Sequence, residues 1–519
     1  MPTSLNLNIY LGGAGVALIL APASPQVRTD GQGHHMISPR DLGRLGLFAC
    51  GVALASMAVV AVIGPSAVSA EVGPPGPVRS LDLGPSQGLV TSLLGFALAL
   101  AALGLLAQLV ALHRGWLPRV RGHGVLGAVG AVAMALVPPM GSTDIAIYAV
   151  YGRMVHLHLN PYTTDVLALV TSGDPIALAY AGPWLLVSSV YGPVAVAEQA
   201  LAAFVGDSSA RLVVWLLQLA ALVVFLLTAW VLDRAARSRG PAARARVAVL
   251  WTANPILLYQ LVNGGHVDGL AALLGISALV LAARRPVVGG ALSALAVGVK
   301  VTYAWYAVAL VWAFRRHRSA WQRIVVGGVV TGVLVFVPVM PEVLGPLRGA
   351  ARQVASISPW HPVVLVLDPW LPHGLVSSAV SIGSLALLAA VVWRLRTWWP
   401  EQPDRPGPQG LRTAALLGGA WLLTAPYALP WYDVIAWAPL VLLGGSSLDL
   451  VLLARLTVTS IAYLPGMVTP TGLTHVIMGP LRGVVAPTVS WVLLLVVWFV
   501  LPRRPWRSPA ALPAASRPR

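Results

Sequence analysis

Long apolar runs separated by short polar or Arg-rich joints recur from residue 43 to residue 501. They lie near 43–66, 87–112, 122–140, 211–232, 247–262, 267–283, 286–300, 301–314, 324–340, 374–393, 412–428, 432–446, 449–465 and 484–501. A helix crossing the hydrocarbon of a bilayer needs about 20 apolar residues, so the pattern predicts an all-α polytopic membrane protein of about 13–14 transmembrane helices. Two intervals break the rhythm. Residues 141–210 and 341–373 are too long to be connectors, and segments of that kind usually carry function. The apolar stretches of the first are interrupted by Gly, Pro and Ser. They predict helices lying in the membrane interface, with Tyr180, Trp184 and Tyr191 at headgroup depth. A short apolar run at 8–22 has no charged segment before it and reads as a loose arm or a misassigned start. The Pro/Arg/Ala-rich tail after Leu501 reads as disordered. The chain thus divides into an arm (1–42), one membrane-embedded domain (43–501) and a tail (502–519).

Composition agrees with the pattern. Hydrophobic residues make up 57% of the chain and charged residues 10%, with a mean hydropathy of +0.79. Soluble domains carry roughly 25% charged residues, which excludes an ordinary globular protein. Charge then orients the bundle. Of the 34 cations, 26 fall in the N-terminal arm, the tail and alternate joints such as 234–246 and 315–323. The bias of Lys and Arg toward the cytoplasm makes these joints and both termini cytoplasmic, and places 141–210 and 341–373 on the outer face of a plasma membrane. The net charge of +17 is accounted for by loops lying against an anionic leaflet and implies no nucleic-acid partner. Cys50 is the one cysteine, so no intramolecular disulfide can form.

The candidate chemistry gathers on the outer side. Asp144 follows the apolar run that ends at Met140, and a carboxylate there must lie at the membrane surface or face a wet cavity. Tyr148, Tyr151 and Arg153 follow at helical spacing, before a break at Asn160-Pro161. A plainer role is open: Ser142, Thr143 or Asp144 can cap the helix that follows. Lys300 is the single lysine of the chain, set in GVKVTYAWY between two apolar runs. It can snorkel to the interface, or its compact ammonium can follow a phosphate as charge grows. Asn263-Gly264-Gly265 turns the chain so that His266 and Asp268 lie at an outer helix end, where free amides favour an anion or where Asp268 merely caps. Trp431 and Tyr432 suit an aromatic belt, which leaves Asp433 unexplained. Convergence on one face fits chemistry on a lipid-linked polar substrate. A flippase or transporter would place its ionisable groups near the midplane and show repeat symmetry instead.

Taken in order, these motifs resemble the polyprenyl-phosphate-sugar-dependent glycosyltransferases of the GT-C fold. The residues concerned are Asp144 with Tyr148, Gly152-Arg153, Asn160-Pro161-Tyr162, Val190-Tyr191-Gly192-Pro193, Asn254-Pro255, Gly265-His266-x-Asp268, Lys300-Val301-Thr302 and Pro430-Trp431-Tyr432. Within that group the chain is most similar to actinobacterial α-1,6-mannosyltransferases that elongate the mannan of lipoglycans. The family's spelling has a small polar residue where this chain has Val267. The resemblance implies a GT-C bundle in which Asp144 is the catalytic base. It implies a polyprenyl-phosphate-mannose donor and a growing α-1,6-mannan of a cell-envelope lipoglycan as acceptor, with arabinofuranose or glucose donors as the nearest alternatives. Lys300, His266, Asp268, Arg153, Arg348 and Arg352 are the expected donor-phosphate residues. Tyr148, Tyr162, Tyr191, Trp431, Tyr432 and Asp433 are the expected sugar or acceptor residues. No cofactor is implied, and divalent-metal dependence is open.

Overall fold

A computed structural model describes residues 37–72, 80–180 and 182–501, together with the backbone of 4–12 and 15–23. The disordered tail expected at 502–519 lies outside the described residues. The 8–22 run is not a loose arm where it is described, because Ser4–Gly12 and Gly15–Ala23 pair as an antiparallel hairpin. From Pro39 onward the described elements are helices.

Six helices are long and apolar enough to cross a bilayer: Pro39–Val62, Gln87–His113, Ala210–Arg237, Arg318–Val339, His373–Leu395 and Gly472–Val500. Five shorter apolar helices accompany them: Val120–Leu136, Pro193–Gly206, Asp268–Leu281, Pro286–Val299 and Val301–Phe314. Each apolar run read from the sequence is helical in whole or part. Among the described residues, the helices long and apolar enough to cross without interruption number six. A seventh is made if Pro241–Thr252 and Pro255–Asn263, bent by 40° at their break, count as one. Pro and Gly cut the other runs short. The run at 432–446, for instance, begins as a 3-10 turn at Pro430–Asp433 and its helix ends at Leu440, one residue past Pro439.

Outward faces of the long helices carry exposed Phe48, Phe96, Trp230 and Leu334, the inverse of a soluble surface and suited to lipid. Inside, one continuous apolar core runs from Cys50 to Val497. The first two crossings approach through glycines: a side chain on Gly104 would meet Cys50 Sγ at 2.9 Å. Small residues of this kind let membrane helices make close backbone contact.

Two arginines within the bundle are paired with carboxylates. Arg246 grips Asp449 through Nη1 and Nη2 (2.7 and 3.0 Å), and Arg455 is bonded to Asp433. Gly445 sits against Arg246, His113 and Asp449, so these three collect one set of helix ends. The opposite ends converge around Asp144.

Between Val120–Leu136 and Ala210–Arg237 the first long segment folds as four helices: Asp144–His156, Val166–Thr171, Pro175–Leu178 and Pro193–Gly206. They pack on the bundle rather than float beside it. Tyr180 and Tyr191, expected at headgroup depth, are buried, because their rings turn inward to line the space beside Asp144.

Candidate active site

The approach to Asp144 is pinned from below. Asn254 caps its own turn, accepting from the amides of Ile256 and Leu257 at 3.0 and 3.2 Å, and Pro255 supplies the ready-made first-turn angle. That bend carries Asn263 into the bundle. Its Nδ2 donates to the carbonyls of Met134 (3.1 Å) and Pro138 (3.0 Å), while its Oδ1 accepts from Met140 N–H (2.9 Å). Gln218 adds bonds to Val137 O and Asn263 O at 3.2 and 3.1 Å. These bonds satisfy the carbonyls freed where the helix ends at Leu136, which could not otherwise be buried. Gly141 then turns with φ +78° against the Tyr259 hydroxyl, a conformation and a contact that admit no side chain.

Asp144 is the first residue of its helix. Its own N–H donates to Ser142 Oγ at 3.1 Å, so the capping role falls to Ser142 and the Asp144 carboxylate makes no side-chain cap bond. It points instead into a pocket of rings. Tyr148, one turn on, offers its hydroxyl to Oδ2 at 3.5 Å, a weak bond at best. Tyr191 meets the Tyr148 ring edge-on at 4.9 Å. Burial lifts the carboxyl from 3.8 to about 6, against the pull of the Lys300 charge. A group so placed is ionised at neutral pH yet basic enough to take a proton.

Across the pocket, antiparallel helices bring Asp268 and Lys300 together. The Nζ lies 3.0 and 2.8 Å from the two Asp268 oxygens and 3.3 Å above the Tyr432 ring. Lys300 is 7% exposed, so it does not snorkel to the interface as one expectation had it. Nor is it a free phosphate ligand, since both Asp268 oxygens already hold it.

His266 is likewise buried. It stacks on Trp431 with ring centroids 3.8 Å apart, and its Nδ1 stands 2.5 Å from Gln260 O. A carbonyl only accepts, so Nδ1 carries the hydrogen and Nε2 a lone pair. Without an N–H on Nε2, neutral His266 cannot serve a phosphate as expected. That nitrogen faces Asp144 Oδ2 at 3.8 Å.

The structure does not bring every expected residue here. Arg153 sits nine residues beyond Asp144, about 13 Å along the helix axis, and is held by Asp174 (2.8 Å) and Asp207 (3.1 Å). Asp433 is buried and answers Arg455, which withdraws it from a sugar. Tyr162 packs with Val196 and Val343, where the two long segments meet. Arg348 and Arg352 are exposed, and no ion pair among the described residues uses them. Arg352 lines a cavity of about 390 Å³ with Trp184, Gln353, His373, Ser377 and Tyr427. Tyr427, which lines this cavity, is near enough to feel the Asp144 charge, as are Tyr180 and Tyr463.

Sequence reasoning missed Tyr427, Tyr463, Gln260 and Asn263. The density of rings in Tyr427-Ala428-Leu429-Pro430-Trp431-Tyr432 was a usable signal for the first. The polar ends of apolar runs were one for the rest. Among the described residues no three His, Cys, Asp or Glu side chains are grouped to hold a metal ion.

Comparison with known proteins accords with this geometry. Residues 42–316 match the family described as alpha-(1→6)-mannopyranosyltransferase, N-terminal domain. The chain is also similar to alpha-(1→6)-mannopyranosyltransferase A of Corynebacterium glutamicum, with 26% identity over 407 residues covering 71% of this chain and 79% of that protein.

Proposed function

Because the chain belongs to the alpha-(1→6)-mannopyranosyltransferase family, we propose that it transfers mannose from polyprenyl-phosphate-mannose to a growing α-1,6-mannan of a cell-envelope lipoglycan. One observation carries the reading: Asp144 is a buried carboxylate with no strong hydrogen bond, walled by tyrosines and set beside the Asp268–Lys300 pair.

In this mechanism the ionised Asp144 takes the proton of an acceptor hydroxyl as that oxygen attacks the anomeric carbon. The bond from the anomeric carbon to the phosphate oxygen breaks, and polyprenyl phosphate leaves. A β-linked donor attacked once from the opposite face gives an α-linked product, so a single carboxylate suffices. Lys300, held by Asp268, sets a positive charge beside the reacting carboxylate. The exposed Arg348 and Arg352 are the better phosphate ligands, because neither spends its charge on an acid. The rings of Tyr148 and Tyr191 wall the space for sugar, whereas the Tyr432 ring carries Lys300 on its face. Orientation follows the Arg distribution: both termini cytoplasmic and the pocket outside, where acceptor glycan arrives through water and the lipid tail lies between helices.

The test incubates purified protein with radiolabelled polyprenyl-phosphate-mannose and short α-1,6-mannosides, then determines linkage and anomer. An α-1,6-extended product is expected. Label that reaches no mannoside, or a donor requirement met only by an arabinofuranosyl or glucosyl lipid, overturns the assignment. A flippase would move the lipid and form no new glycosidic bond.

A further inference from the structure

One buried polar atom facing the reacting carboxylate has no partner among the described residues: Nε2 of His266. Its ring cannot turn away, being clamped by Gln260 O at one edge and by the Trp431 face at 3.8 Å. Gln260 is itself tied to Ser460 Oγ at 3.0 Å. The tautomer is therefore locked with the lone pair aimed at Asp144 Oδ2, 3.8 Å away.

We infer that His266 is a positioning residue that strengthens Asp144 as a base by accepting a hydrogen bond from its carboxyl only after the proton has arrived. The inference rests on the reading of Asp144 as the base. While Asp144 is ionised, two acceptors face each other and no bond forms. Once the acceptor's O–H bond has broken and an O–H bond has formed on Asp144, the carboxyl donates from Oδ2 into the Nε2 lone pair, closing about 1 Å to reach bonding distance. A contact that appears as the proton moves favours the transition state over the ground state.

The other groups around Asp144 cannot replace it. Tyr148 from the same helix is a hydroxyl donor, which favours the anion, as does the Lys300 charge. Asp268 disfavours the anion but is neutralised by Lys300. Tyr180, Tyr191, Tyr427, Tyr432 and Tyr463 are neutral phenols, and Trp431 lies behind the imidazole. Both Asp268 oxygens are taken by Lys300, so among these groups His266 alone presents a lone pair that carries no hydrogen and is not already occupied.

The experiment titrates the Asp144 carboxyl directly, by difference infrared spectroscopy on the full-length protein, with the band identified by its loss in Asp144→Asn. In His266→Phe, which keeps the stacking on Trp431 and loses the lone pair, half-titration should fall by about one pH unit. In His266→Gln, whose amide oxygen can accept, it should stay near the wild-type value. The pH at which transfer switches on should move with the band. An unmoved band in His266→Phe overturns the inference. A band that moves while the activity profile does not upholds the Asp144–His266 coupling and removes Asp144 as the base. Should His266→Phe not fold, ¹⁵N imidazole shifts of the wild type decide the matter, since a hydrogen on Nε2 overturns the inference.

Discussion

At the scale of single residues, Asp144 is expensive to bury and useful for the same reason. Hydrogen bonds that would steady its anion are weak, so burial keeps the carboxyl basic. Asp144→Asn should therefore lower transfer by about 10²–10⁴-fold, the worth of a positioned general base, while expression and insertion stay normal. An Asn variant with wild-type activity removes the mechanism. Activity should rise with pH through about 6, because only the ionised form is a base. Stability runs the other way. The folded value lies above the reference 3.8, so the contribution is complete below that value and is lost as pH rises through about 6. Thermal melts of the Asn variant should show a flatter pH dependence between those values. Lys300 behaves differently. Its pair with Asp268 is buried, so Lys300→Met strands a carboxylate and should cost about 3–5 kcal/mol of stability as well as turnover. Adding Asp268→Leu should restore much of the lost stability and none of the lost activity, which a two-variant thermal-melt cycle reads. From sequence, a lone lysine between apolar runs looked like a surface group, because its partner lies 32 residues away in the chain.

At the scale of elements, the break between Pro241–Thr252 and Pro255–Asn263 places the site. Asn263 satisfies two carbonyls and one amide of the segment leading to Asp144, so Asn263→Ala leaves three buried groups unpaired. Each unpaired group costs about 1–3 kcal/mol. The variant should melt earlier and lose kcat more than acceptor KM, since the carboxylate shifts while the cavity lined by Arg352 remains. Asn263→Asp keeps the acceptor for Met140 but sets an oxygen against the Met134 and Pro138 carbonyls, so it should melt no later than Ala. Equal melting temperatures for the three proteins would refute the clamp. The apolar runs were legible because lipid imposes a composition on any helix that crosses it. The clamp was not, since an Asn at the end of an apolar run reads equally well as a loop residue.

At the scale of the molecule, the distribution of cations sets an expected topology. In a Cys50→Ala background, Thr163→Cys should react with an impermeant thiol reagent applied to intact cells, and Ser238→Cys should react only after the membrane is opened. Labelling of Ser238→Cys from outside would reverse the orientation and take the site assignment with it. What the sequence by itself determined is what each stretch decides locally: helical runs, their membrane class, the bias of Arg to one side, and Asp144 as an acid at a costly boundary. Family membership likewise rests on the order of short motifs and survives without coordinates. What only the tertiary structure decided is pairing. Lys300 belongs to Asp268, Arg455 to Asp433, Arg153 to Asp174 and Asp207, and the lone pair of His266 to Asp144. Hydrophobic partition acts on each residue separately and leaves its mark in composition. A buried charge or hydrogen bond depends on two groups meeting at about 3 Å, and that meeting is made by the packing of helices distant in the chain.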